Sequence, residues 1–152
     1  MELSIGQVAP FFSLKNEKNN VVSLDDFKGK WVVLYFYPKD DTPGCTRESI
    51  GFSENLALFS RKNAVILGVS KDSVDSHEAF CQKYDLKIPL LSDPEKSCIV
   101  SYGVWQEKKQ YGNVFFGISR TTFLIGPDGK ISYIWNNVKV EGHVDAVLRK
   151  IV

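Results

Sequence analysis

The chain has 152 residues, 43% of them hydrophobic and 24% charged, with a formal net charge of +1. This is the size and balance of one globular domain, 1–152, able to bury a real core. The near-neutral charge gives no electrostatic case for nucleic acid or an anionic membrane surface, and no apolar stretch approaches the length of a membrane span.

Residues 1–30 read as a lead-in. Met1-Glu2-Leu3-Ser4-Ile5-Gly6 lacks a basic region followed by an apolar one, which predicts a cytoplasmic protein, or a mature form whose leader has been removed. Phe11-Phe12-Ser13-Leu14 and Val21-Val22-Ser23 flank the polar run Lys15–Asn20, the pattern of a β-hairpin against one edge of a sheet. Leu24–Lys30 holds one helical turn ended by Gly29. Trp31-Val32-Val33-Leu34-Tyr35-Phe36-Tyr37 is β-branched and aromatic with no polar alternation, so it predicts a strand buried on both faces.

After this strand comes Pro38-Lys39-Asp40-Asp41-Thr42-Pro43-Gly44-Cys45. Thr42 is suited to cap a helix with its hydroxyl, and Pro43 to occupy the first helical position. Helical spacing runs from about 43 to 62, with Phe52, Leu56 and Phe59 on one stripe. Cys45 then lies in the first turn, where N–H groups have no acceptors within the helix and the dipole is positive, a setting that favours thiolate over thiol. Arg47 is a nearby positive charge, and Glu48 lies one turn from Cys45. A small buried core cysteine is the competing reading for Cys45.

Ala64–Ser70 predicts a second buried strand. A helix over 74–84 follows, with Val74, Phe80, Cys81 and Tyr84 on an inward face. Leu90-Leu91 before Ser92-Asp93-Pro94 is a short strand, and Glu95–Tyr102 a brief helix carrying Cys98. Trp105–Gly117 reads as a surface loop folding back toward the core, as part of a site wall. Ser119–Ile125 and Lys130–Trp135, joined by Gly126-Pro127-Asp128-Gly129, form an antiparallel hairpin. A last helix covers about 142–151. Alternating strands and helices predict an α/β layered fold with a central mixed sheet.

The three cysteines, at 45, 81 and 98, are odd in number and widely spaced. They do not resemble a secreted disulfide framework, and no two of them have chelating spacing, which weighs against a zinc site built from them with His77 and His143. There is no C-x-x-C, which weighs against a disulfide-exchange enzyme. The two histidines read as capping or surface residues.

Pro38, Thr42 and Cys45 fit a P-x-x-x-[TS]-x-x-C signature, and Phe36–Thr46 as a whole resembles the bacterioferritin-comigratory (Q-type) branch of the peroxiredoxins. Ser92-Asp93-Pro94, Tyr102-Gly103-Val104-Trp105, Gly117–Ile125 and Gly142-His143 match that branch in order. The resemblance implies a thioredoxin-like fold and a peroxidase acting on hydrogen peroxide and alkyl hydroperoxides, with no metal or organic cofactor. Cys45 would be oxidised to a sulfenic acid, with Thr42, Pro38, Glu48 and Arg120 around it. Thioredoxin or a similar dithiol would recycle it, and the protein would be a monomer or, as in some members, a dimer. The position of a frequent second cysteine is here Ile50; other members use a cysteine on the next helix, which Cys81 matches. Cys98 or an external thiol remain as alternatives to Cys81. A redox sensor, oxidised at Cys45 but recycled poorly, is the competing function.

Overall fold

The computed structural model describes residues 3–152, so the first two residues of the lead-in lie outside it. The lead-in hairpin pairs β1 (Ser13–Lys15) with β2 (Val21–Ser23), and β1 joins the sheet edge through Lys15 opposite Ser92. The expected turn after it is a short 3-10 helix, Leu24–Phe27, held where the Ser23 backbone N–H donates to Asp26 Oδ2. The central strands are β3 (Trp31–Phe36), β4 (Ala64–Ser70) and β5 (Leu90–Ser92), followed by β8 (Thr121–Ile125) and β9 (Ile131–Trp135). With the hairpin they form a seven-stranded sheet in the order β2-β1-β5-β4-β3-β8-β9. β3, β4 and β5 run parallel, while β8 is antiparallel to β3. The predicted mixed α/β sheet is what the chain forms.

The period of two in β3 divides the core. Val32, Leu34 and Phe36 point into one layer with Leu67, Val69, Cys98, Ile99, Tyr102 and Phe123. Val33, Tyr35 and Tyr37 point into the other, with Cys45, Phe52, Phe59, Phe80 and Val147 from the helices. Those helices are α1 (Pro43–Glu54), α2 (Leu56–Arg61), α3 (Val74–Tyr84) and α5 (His143–Lys150). A short helix, α4 (Ser97–Ser101), carries Cys98 in the first layer.

Two expectations are corrected. The single helix over 43–62 is two helices, broken at Asn55 (φ −100, ψ 9). Its side-chain amide donates to the Gly51 carbonyl, a local bond that competes with the helical ladder. The segment 105–117 is no loop: β6 (Trp105–Gln110) and β7 (Asn113–Ile118) form a separate two-stranded ribbon. Its two turn residues, Tyr111 (φ 51) and Gly112 (φ 79), both have positive φ, which matches the twist of a tight hairpin.

Gly68 in β4 leaves no room for a side chain. A Cβ there would lie 2.7 Å from Tyr35 Cζ and 2.8 Å from Leu90 Cδ2. The Tyr35 hydroxyl in turn bonds Ser49 Oγ of α1 at 2.8 Å. Gly68→Ala should therefore cost about 1–3 kcal/mol through overpacking, measured by denaturant unfolding. An unchanged midpoint and slope would show that Tyr35 has room to move.

Candidate active site

β3 ends at Phe36, opposite Thr121 at the start of the antiparallel β8. The residues just beyond these two ends, 38–45 and 119–120, therefore emerge at the same end of the sheet. Thr42 is the residue before α1 (φ −96, ψ 154) and Pro43 its first residue, as the sequence predicts. The expected side-chain cap is absent. Thr42 Oγ1 instead donates to the Lys39 carbonyl at 2.8 Å, which tightens the loop and leaves its oxygen lone pairs available.

Cys45 is buried, 1% exposed, in the first turn of α1. Arg120, immediately before β8, reaches across to it: Nη2 donates to Cys45 Sγ at 3.3 Å and Nη1 to Glu48 Oε1 at 2.7 Å. One guanidinium thus binds two acceptors from a single helical turn, which a rigid fork of donors allows. Gly44 gives this approach room: a Cβ there would lie 3.1 Å from Arg120 Nη2 and push the guanidinium aside by a few tenths of an ångström. Arg47 is exposed, and the cation that faces the Cys45 sulfur is Arg120. Pro38 is half-buried in the loop between β3 and α1.

Glu48 is fully buried, and burial outweighs the attraction of Arg120, pushing its carboxyl up to about 7. Its Oε2 has no hydrogen-bond partner among the described residues, which leaves that oxygen free to carry a proton. His143 Nε2 lies 4.0 Å from it and 2.8 Å from Thr122 Oγ1. Burial, then the charge of Arg120, press His143 down to about 4, so it is a neutral imidazole at physiological pH. Lys108 of the β6–β7 ribbon is half-buried with its stem against Gly117. Burial and then the charge of Arg120 lower its pKa, while Cys45 raises it.

The expectation that His77 and His143 are capping or surface residues is corrected: both are buried. His143 is 5% exposed beside Glu48, and His77 is completely buried, bonded through Nδ1 to Asp40 Oδ2 at 2.7 Å and through Nε2 to the Leu91 carbonyl at 3.0 Å. Asp40 also accepts from Tyr37 and Ser76. An aspartate in the loop and a histidine on the inward face of α3 gave the only signal for this network.

Of the other cysteines, Cys81 is half-buried and packs against the same core layer as Cys45. Burial, with smaller contributions from Glu17 and Asp40, pushes the Cys81 thiol up to about 12. Cys98 is buried in the opposite layer, with β3 and β4 between it and Cys45.

Along nearly its whole length the chain is similar to known proteins. The model of the AhpC/TSA family matches residues 5–134. The Peroxiredoxin Bcp of Bacillus subtilis is 44% identical over 149 residues, spanning 98% of this chain and 95% of that protein. A solved mutant of Xylella fastidiosa PrxQ superposes with a TM-score of 0.94 at 40% identity, over 99% of this chain and 96% of that one. The Xanthomonas campestris bacterioferritin comigratory protein, in structures addressing its alkyl peroxide reduction activity, gives a TM-score of 0.88 at 42% identity, over 92% and 89%.

The buried Glu48 makes a pH prediction. Its folded-state pKa, about 7, lies above the ordinary value of 4.5, so between these pH values the folded protein holds a proton that the unfolded chain releases. Its contribution to stability is therefore lost as pH rises from about 4.5 to 7, by at most about 3 kcal/mol. Glu48→Gln removes this titration and should flatten the stability–pH curve in that window, whatever constant offset the lost ion pair adds. Parallel wild-type and variant curves from urea unfolding would contradict it.

Proposed function

The chain belongs to the AhpC/TSA family, as a thiol-dependent peroxidase of the Bcp-type peroxiredoxins, and from that premise we propose that Cys45 is its peroxidatic thiol and Cys81 its resolving thiol. The observation that carries the first assignment is the Arg120 Nη2 bond to Cys45 Sγ at 3.3 Å. A guanidinium donor interacts more strongly with a thiolate than with a thiol, and the thiolate is the nucleophile.

In the proposed reaction the Cys45 thiolate attacks one oxygen of the hydroperoxide. A sulfur–oxygen bond forms, the O–O bond breaks, and the departing hydroxide or alkoxide takes up a proton as water or alcohol. Arg120 faces the charge that moves from sulfur to oxygen, and the Cys45 backbone N–H, without an acceptor in its helix, is a second donor. Thr42, its hydrogen committed to Lys39, accepts from the hydroperoxide O–H. Glu48 orients Arg120 from behind, and Pro38 shields the loop side from water. The sulfenic acid then meets the Cys81 thiol: an S–S bond forms, the S–O bond breaks, and water leaves. A dithiol protein such as thioredoxin reduces the disulfide. Hydrogen peroxide and organic hydroperoxides are the substrates, and the cytoplasm is the site of action. Cys98 has no place in this cycle, since the sheet separates it from Cys45.

Coupled turnover with thioredoxin and hydroperoxide tests the assignment. Cys45→Ser should abolish it, and Arg120→Lys should lower it about a hundredfold or more by removing the fork that serves two acceptors. Cys81→Ser should consume one equivalent of peroxide and then stop with thioredoxin as reductant, while Cys98→Ser behaves as wild type. Activity surviving in Cys45→Ser would overturn the reading. Rapid oxidation of Cys45 without thioredoxin-dependent turnover would favour the sensor.

A further inference from the structure

Two successive aspartates join the Cys45 loop to the Cys81 helix, and they do so at opposite ends. Asp40 is buried and accepts from Ser76 Oγ at 2.8 Å and meets His77 Nδ1 at 2.7 Å, in the first half of α3. Asp41 is exposed and accepts from Lys83 Nζ at 2.8 Å and from the Tyr84 hydroxyl at 2.6 Å, in its last turn. Cys81 lies between the two attachments. Its carbonyl accepts from Leu86 N at 3.0 Å, just past Asp85, which ends the helix in the left-handed region (φ 53).

We propose that Asp41 is a positioning residue for the resolving step: its carboxylate clasps the last turn of α3, and release of that clasp lets the turn around Cys81 open toward oxidised Cys45. This rests on the reading of Cys81 as the resolving thiol.

The two attachments differ in strength for a physical reason. The Asp40 network is out of water and shares its partners with Tyr37 and Leu91, so breaking it strands buried polar groups. The Asp41 bonds face solvent, and exposed ion pairs are individually weak. Opening therefore begins at the C-terminal end of α3 and stops at His77. Local opening of one frayed turn is the kind of motion that weak, exposed contacts govern. In the closed turn Cys81 is half-buried and protonated, a poor nucleophile; the open turn returns it to water. The clasp thus sets how long the Cys45 sulfenic acid waits, and hence its exposure to a second peroxide.

Asp41→Asn and Tyr84→Phe test the clasp. Asn is suited to the left-handed backbone of residue 41 (φ 58), and Phe keeps the ring packed on Phe80. In single-turnover stopped-flow fluorescence with hydrogen peroxide, the peroxide-dependent first phase should remain as in the wild type. The peroxide-independent second phase should quicken about threefold to tenfold, the rate equivalent of one lost hydrogen bond. At excess peroxide the fraction of Cys45 reaching sulfinic acid should fall, and amide exchange should rise in the last turn of α3 but not the first. If wild type forms the Cys45–Cys81 disulfide while neither variant quickens the second phase, the clasp is overturned and the resolving assignment stands. If wild type forms no such disulfide, both fall.

Discussion

A single half-buried guanidinium governs this molecule. The Arg120 side chain is only 18% exposed, and a cation so largely withdrawn from water needs good pairing. Its two partners, Cys45 Sγ and Glu48 Oε1, come from one turn of α1. Much of the surrounding structure serves to hold that pairing. The Arg120 carbonyl accepts from Val138 N, and the neighbouring Ser119 N–H donates to Val104, so the backbone on both sides of the strand start is fixed. Gly44 leaves space for the guanidinium, and His143, neutral in its buried position, adds no competing charge beside Glu48.

The sheet explains why these groups meet at all. β3 delivers the Cys45 loop from its C-terminal end, and its antiparallel neighbour β8 brings Arg120 from its N-terminal end, so the two arrive together. α3, following the parallel neighbour β4, places Cys81 in the same layer of the core. The same sheet isolates Cys98. Chemistry and topology are thus linked through strand direction: a parallel β8 would leave Arg120 at the far end of the strand from Cys45.

What the sequence disclosed follows from the range of the interactions involved. The continuous apolar runs of β3 and β4, the Thr-Pro helix start before Cys45 and the hairpin around Gly126–Gly129 are local patterns, and each is found where its residues predict it. The pairing of Arg120 with Cys45 and Glu48 is long-range; without the family resemblance, nothing local distinguishes Arg120 from any charge at a strand start. Asn55 was concealed because a helical stripe continues through it, with Phe52 and Phe59 both buried on either side of the break. The polar run in β6 looked like a loop because that ribbon lies off the main sheet, with few positions to bury; Tyr111-Gly112 was the overlooked turn signal. Nothing local to His77 and His143 reveals that Asp40 and Thr122 await them.

The most direct measurement is peptide mapping by mass spectrometry after reduced protein receives one equivalent of hydrogen peroxide and the remaining thiols are alkylated. The account predicts an intramolecular Cys45–Cys81 disulfide, with Cys98 alkylated. Cys45 recovered as an unreacted, alkylated thiol from folded protein would contradict the assignment of this site to peroxide.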